Sequence, residues 1–204
     1  ENGLVVSLIQ VPGAPSMSLR LKGNSPIDDF EAELSLATDG QEKLAGTVIL
    51  RANGDAGTNQ FRVDVGGDVA ALVAPQYREF LGSDVGLVAE VVQQADGQIE
   101  LSELDLSADA LTLTGYALIG SDGWPQRLDL NGIIAPPSGE RVVLPLPGAA
   151  TSVERVTLSG VFDASRGNGW QLQADVTALE RAGLMQLAQV TLDGSGEIAR
   201  EAGQ

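Results

Sequence analysis

Carboxylates are the one chemistry-bearing side-chain type that clusters along this chain. Asp28, Asp29, Glu31 and Glu33 stand close together in sequence. A calcium site would need such oxygens to converge at fixed loop positions around a turn glycine. Glu31 and Glu33 instead alternate with apolar residues, a pattern typical of the solvent-facing side of a β-strand. We therefore interpret this cluster as a solvated face.

A second acidic group comprises Glu100, Glu103, Asp105 and Asp109. A glycosidase-type pair needs two carboxylates across a cleft, one of them with a raised pKa. The sequence shows neither property, and an alternating acidic face is the simpler interpretation. The pair Gly66-Gly67 lacks the further glycines and the lysine of a phosphate-binding loop.

Histidine and cysteine are absent from all 204 residues. Catalysis by Ser-His-Asp or Cys-His groups is therefore excluded, and so are zinc sites built from imidazole or sulfur. The net charge of −16 argues against a nucleic-acid surface and against docking on an anionic membrane. We predict a non-enzymatic protein that needs no cofactor and no metal.

Alternation of apolar and polar residues dominates the chain and predicts an all-β fold with mainly antiparallel pairing. Turn signals separate the alternating stretches, at Asn53-Gly54, Asp96-Gly97, Asp122-Gly123 and Asn168-Gly169. Trp124 and Trp170 follow two of these turns, so we interpret them as plugs or rim residues at strand ends. We expect residues 1–204 to form one continuous β-repeat segment.

Two stretches interrupt the alternation and predict internal boundaries. Residues 66–83 carry apolar positions at helical spacing, with Asp68 as a possible N-cap and Pro75 at a helix start, so one or two short helices are expected near 68–81. Residues 136–150 are apolar but broken by prolines, which suits an edge strand or a crossover. The inward face is undecided where the alternation slips, between Leu101 and Leu104.

A five-residue phrase recurs: apolar, any, Leu, polar, Gly. It occurs at 19–23, 111–115, 128–132, 156–160 and 190–194. The two apolar residues and the glycine fall on one face of a strand. A glycine there leaves a gap that permits a bulge, strong twist or the close approach of another group. Glycines at bends of an ordinary β-sandwich would give the same pattern.

The shared apolar face is the candidate functional surface. Its predicted lining is aliphatic and comprises Leu19, Leu21, Leu34, Leu36, Val63, Val65, Leu87, Val91, Leu111, Leu113, Leu128, Leu130, Ile134, Val156, Leu158, Leu172, Val176, Val190 and Leu192. Two such faces could cover each other in a closed sandwich. In an open sheet the face would line a trough suited to acyl chains, which need dispersion contacts and exclusion of water.

Several stretches resemble the TamB group of the AsmA-like superfamily, in its alphaproteobacterial form. They are GDVAALVAPQYREF (67–80), LSELDLSADALTLTGYALIG (101–120), DGWPQRLDLNG (122–132), LPLPG (144–148), VTLSGVFDAS (156–165) and GNGW (167–170). The resemblance is clearest over about 66–199. The N-terminal membrane anchor and C-terminal domain of that family are not in this sequence, so we expect an internal fragment.

The resemblance implies an elongated, curved sheet folded over an apolar groove, known as a β-taco. It also implies a periplasmic location, with a tether to the inner membrane through a segment outside this sequence. The implied function is conduction of phospholipid acyl chains between the inner and outer membranes. The implied protein partner is TamA or a similar outer-membrane protein of the Omp85 type.

Two further functions stay open at this point. The first is a scaffold that offers sheet edges to outer-membrane proteins or autotransporters during their assembly. The second is a closed β-sandwich that acts as a spacer or adhesive module.

Overall fold

The computed structural model describes residues 16–23, 26, 28–54 and 57–198. The ends of the predicted continuous segment, 1–15 and 199–204, lie outside these described residues. The strands are β1 Met17–Gly23, β2 Asp29–Thr38, β3 Gln41–Asn53, β4 Thr58–Gly67, β5 Val85–Gln93, β6 Ile99–Ser107, β7 Leu111–Ile119, β8 Pro125–Ile134, β9 Val142–Val143, β10 Thr151–Val153, β11 Arg155–Asp163, β12 Gly169–Arg181 and β13 Met185–Glu197.

All of these strands belong to one sheet, in which each strand from β1 to β7 pairs with the next one along the chain. Strands β8, β11, β12 and β13 continue the antiparallel order. The short β10 pairs with β12 in line with β11, and β9 pairs with β10. The chain thus forms one open, curved, mainly antiparallel sheet, which confirms the predicted fold class.

Tight turns join most neighbouring strands, as the turn signals predicted. Gly97 and Gly123 take φ values of 88° and 77°, and Asn168 takes 57°. These left-handed conformations suit glycine and, less strongly, asparagine. Asp39-Gly40 makes an equivalent turn between β2 and β3, with φ values of 49° and 77°.

Strand β3 was not evident from alternation. Its central stretch, Leu44 to Leu50, carries apolar residues on both faces of the strand. Val48 pairs with Val63 on the apolar face, whereas Ile49 pairs with Arg62 on the other. A period of two is hidden when both faces are apolar, so the strand reads as a continuous apolar run.

A β-bulge in β6 resolves the slip between Leu101 and Leu104. Leu101 pairs with Ala117 and Leu104 pairs with Gly115, so two residues of β6 stand opposite one residue of β7. An extra residue in one strand shifts the alternation by one position. Both leucines therefore lie on the apolar face.

The predicted helical stretch is only partly helical. A 3-10 turn covers Pro75–Tyr77, with the proline at its start, and helix α1 covers Arg78–Leu81. Residues 70–72 form a turn instead, with a hydrogen bond from Leu72 N to Val69 O at 2.8 Å. The Asp68 side chain accepts a hydrogen bond from Ala70 N at 2.9 Å, the bond that an N-cap makes, but the chain makes one turn after it and the helical residues begin at Pro75.

Within the proline-broken stretch, Val142–Val143 form β9, a short strand that pairs with β10 in the same sheet. Val142 of β9 and Val153 of β10 are fully buried, and they cluster with Phe80 of α1 and Ala110. This buried group, which we call the cap cluster, holds α1 and β9 against the ends of the neighbouring strands.

Candidate functional site

The predicted lining residues all lie on one face of the sheet. Directly paired residues in antiparallel strands point to the same side. One continuous row of pairs runs across β7, β8, β11, β12 and β13 through Leu111, Ile134, Val156, Val176 and Val190. The remaining predicted lining residues connect to the same face through the registers of their own strands.

Within the part of the chain that the structure describes, no second layer covers this face. None of the predicted lining residues is buried, and five of them are largely exposed: Leu19, Leu21, Leu128, Leu172 and Leu192. Leu19 exposes 70% of its surface. A closed sandwich would bury such residues between its two sheets. The sandwich considered from the sequence therefore does not describe this fold.

One end of the strands is closed by the cap cluster. Leu111, Ile134, Val156 and Val176 pack partly buried against it. Helix α1 and strand β9 sit over this end, whereas no such cluster of buried residues is found at the opposite end within the described residues. These four residues consequently contribute to folding, and the more open part of the trough lies toward the β7–β8 and β11–β12 turns.

Leucine and glycine alternate like a checkerboard on the apolar face of β7, β8 and β11. Gly115 lies between Leu104 and Leu130, whereas in the next row Gly132 lies between Leu113 and Leu158. Three of the phrase glycines, Gly115, Gly132 and Gly160, occupy this face, as the recurring phrase predicted. Glycines on a concave face let large neighbours fold inward without collision.

Two aromatic side chains form a cross-strand pair that the sequence did not suggest. Phe162 and Trp170 are directly paired at the open ends of β11 and β12. The Trp170 ring lies over Gly194 and Gly196, within 3.1 Å and 2.9 Å of where their Cβ atoms would stand. The interpretation of Trp170 as a strand-end plug agrees with this contact. Trp124 lies half-buried in the turn before β8.

The opposite face of the sheet carries the charges. Arg62 donates to Glu90 at 3.0 Å and to Glu103 at 2.6 Å. The hydrogen bond from Arg62, aided by one from the Ser102 hydroxyl, lowers the pKa of Glu90 despite some desolvation. The two carboxylates raise the pKa of Arg62 in return. The acidic stretch at 100–105 thus supplies a partner for an arginine on this outer face.

Two other outer-face groups have shifted pKa values. Desolvation raises the pKa of Tyr116, and a hydrogen bond with Glu100 adds to this effect. Arg127 lies 5.7 Å from the centre of the Tyr116 ring, a cation–π contact. The Ser165 hydroxyl donates to Asp163 at 2.6 Å and lowers the pKa of that carboxyl. Tyr116 lies within β7, whereas Asp163 caps the 3-10 turn that follows β11.

Within the residues that the structure describes, no three Asp, Glu, His or Cys side chains are grouped in a way that could hold a metal ion. Among the described helices, none is long and apolar enough to cross a membrane. No protein-family model, curated protein or solved structure matches this chain.

Proposed function

We propose that this segment binds the acyl chains of phospholipids along its apolar face and conducts them from one membrane toward another. The observation that carries the proposal is the uncovered row of aliphatic side chains on a single open sheet. A contiguous apolar surface of this extent on a soluble protein marks an interaction site. An aliphatic lining suits a hydrocarbon ligand, because a hydrocarbon chain binds through burial of apolar surface and needs no hydrogen bonds.

The dimensions of the face support this proposal. Neighbouring strands lie about 4.8 Å apart, so the eleven strands from β1 to β8, β11, β12 and β13 span roughly 48 Å measured along the curved surface of the sheet. That distance exceeds the roughly 30 Å hydrocarbon thickness of a bilayer. A chain lying across the strands would stay in contact with Leu, Val and Ile along its whole length.

The charge distribution supports the same function. Glu31, Glu33, Glu90 and Glu103 lie on the face opposite the aliphatic lining. A net charge of −16 keeps a protein with an uncovered apolar face in solution. The sheet is thus amphipathic, with an apolar inner face and an anionic outer face.

The family resemblance adds a location and a partner to the proposal. A TamB-like segment would work in the periplasm, tethered to the inner membrane through another part of the protein, and would act with TamA or a related outer-membrane protein. The open curved sheet is the fold that this resemblance implies.

Lipid extraction and native mass spectrometry of the purified segment test the proposal. We expect phospholipid to co-purify, and a photoactivatable acyl chain to cross-link to residues such as Leu128 and Leu192. Recovery of protein without lipid, and labelling confined to the charged face, would overturn the proposal.

A second candidate function is favoured by strand β13. Within the described chain β13 pairs only with β12, so its outer edge is free. From Met185 to Leu192 this edge carries no charge and no proline. Natural edge strands are usually blunted by such residues. The edge could therefore accept an added strand from a client protein, as an assembly scaffold requires.

A further inference from the structure

A cavity of about 410 Å³ opens on the apolar face near the open ends of β8, β11 and β12. Its size falls in the range of small-molecule sites. The side chains that bound it on this face are aliphatic or aromatic, and Gly160 forms part of its floor. The residues used in the argument are Leu128, Gly160, Phe162, Trp170, Leu172 and Ile198.

Gly160 differs from the other glycines of the checkerboard in what covers it. A Cβ on Gly115 would meet Leu104 and Leu130, each at 3.2 Å, and one on Gly132 would meet Leu113 at 3.3 Å. The space above those glycines is already filled by leucines from neighbouring strands.

Above Gly160 the corresponding space is open. Leu130, which pairs with Gly160, turns toward Gly115 on its other side. If Gly160 carried a Cβ, that atom would lie 3.6 Å from Leu172 Cδ1. Apart from the residues next to Gly160 in the chain, no other described residue comes within 4 Å of that position. That distance is an ordinary contact, so neither packing nor a left-handed backbone requires glycine here.

We propose that Gly160 is a specificity-determining residue, kept small so that this cavity holds one segment of a phospholipid acyl chain. The inference rests on the proposed function and assigns it a discrete subsite. The occupant follows from the checkerboard: Gly115 and Gly132 are covered by leucine side chains of the protein, and at Gly160 a hydrocarbon chain of the ligand takes that place. Arg127 and Gln171, which also border the cavity, belong by alternation to the opposite face.

Trp170 lines the cavity and supplies a spectroscopic probe. The experiment uses Trp124→Phe protein, in which Trp170 is the sole tryptophan, with phosphatidylcholine brominated midway along one acyl chain and presented in mixed micelles. Bromine quenches tryptophan fluorescence at short range. We expect saturable quenching of Trp170, and no quenching by the same lipid without bromine.

Gly160→Leu should fill the cavity and weaken the apparent affinity for the brominated lipid by about tenfold or more. Gly160→Ala, a milder change, should give a smaller loss in the same direction and keeps the test valid where the leucine variant does not fold. Gly54→Ala, in the β3–β4 turn, where an added Cβ would meet nothing within 4 Å, serves as the substitution control in folded protein.

The outcomes separate the subsite from the groove. If lipid still co-purifies and cross-links but Trp170 is not quenched, or if Gly160→Ala and Gly160→Leu leave quenching unchanged, the subsite is wrong and the proposed function stands. If no lipid binds in any assay, both are wrong. Quenching that an apolar peptide strand displaces more strongly than unlabelled phosphatidylcholine would also overturn the acyl-chain assignment.

Discussion

Leu130 lies over Gly115, with its Cδ1 atom 3.2 Å from the point where a Cβ would stand on that glycine. Leu104 reaches the same point from the other neighbouring strand, also at 3.2 Å. The two leucines thus occupy the space that a side chain at 115 would need. The backbone at Gly115 is not left-handed, so packing is what favours glycine there: an added Cβ would need both leucine methyl groups to shift by a few tenths of an ångström.

Among the strand glycines, Gly46 is predicted to tolerate a larger side chain least. A Cβ there would collide with the Asp64 carbonyl oxygen and lie 2.6 Å from Val65 Cα, both backbone atoms that cannot rotate away. We expect Gly46→Ala to destabilise the protein by about 1–3 kcal/mol in urea unfolding. Gly160→Ala is the matched control and should be neutral or slightly stabilising, since alanine suits a strand better than glycine. Equal effects of the two substitutions would contradict this account of the glycines.

The sheet and its apolar face were predictable because alternation leaves a direct record in sequence. Val156, Leu158 and Gly160 are two residues apart, so they lie on the same face of their strand. Their directly paired partners in the neighbouring strand lie on that face as well. The closure at one end was not predictable. Phe80 and Val142 are far apart in sequence, and no local pattern indicates that they meet.

The cap cluster should carry a large share of the stability. Phe80 is only 4% exposed and packs in the cluster, so Phe80→Ala should cost about 3–5 kcal/mol. Phe61→Ala makes the same chemical change on the open face, where the ring is 41% exposed, and should cost much less. Urea denaturation followed by circular dichroism measures both. A larger loss at Phe61 would show that the open face, rather than the cap, holds the sheet together.

Acid should weaken the outer-face network around Glu90. Arg62 lowers the pKa of this carboxyl, so the stabilising contribution is fully present above the ordinary glutamate pKa of about 4.3. It is lost as pH falls through the lower folded-state value. Glu90→Gln should therefore reduce the urea midpoint at pH 7, and the difference from the wild type should shrink as the pH falls below the ordinary glutamate pKa of about 4.3.

Glu31→Gln provides the control for this pH series, because Glu31 of β2 lies on the same outer face of the sheet as Glu90. A difference between wild type and Glu90→Gln that stays constant from pH 7 to pH 3 would exclude a contribution from ionised Glu90. The measurement needs only chemical unfolding at several pH values.

The candidate site was less predictable than the sheet. The sequence left Leu101 and Leu104 without an assigned face, because a bulge inserts a residue without a reliable signature. The cavity at Gly160 was hidden for another reason. The phrase at 156–160 matches the one at 111–115, yet only in the structure does the neighbouring leucine turn away.

Charge placed on the apolar face should separate lipid conduction from edge-mediated assembly. Leu113 and Thr114 are adjacent on β7 and point to opposite faces. Leu113→Arg places a charged guanidinium on the surface that the acyl chain would follow, and we expect it to reduce co-purified phospholipid by about tenfold or more. Thr114→Arg adds the same charge to the solvated face and should leave the lipid content unchanged.

Leu128→Arg repeats the test at a more exposed position, where an arginine can reach water and folding is less affected. A scaffold acting only through the β13 edge would keep binding client strands in all three folded variants, and undiminished lipid in Leu113→Arg and Leu128→Arg would rule out conduction along this face.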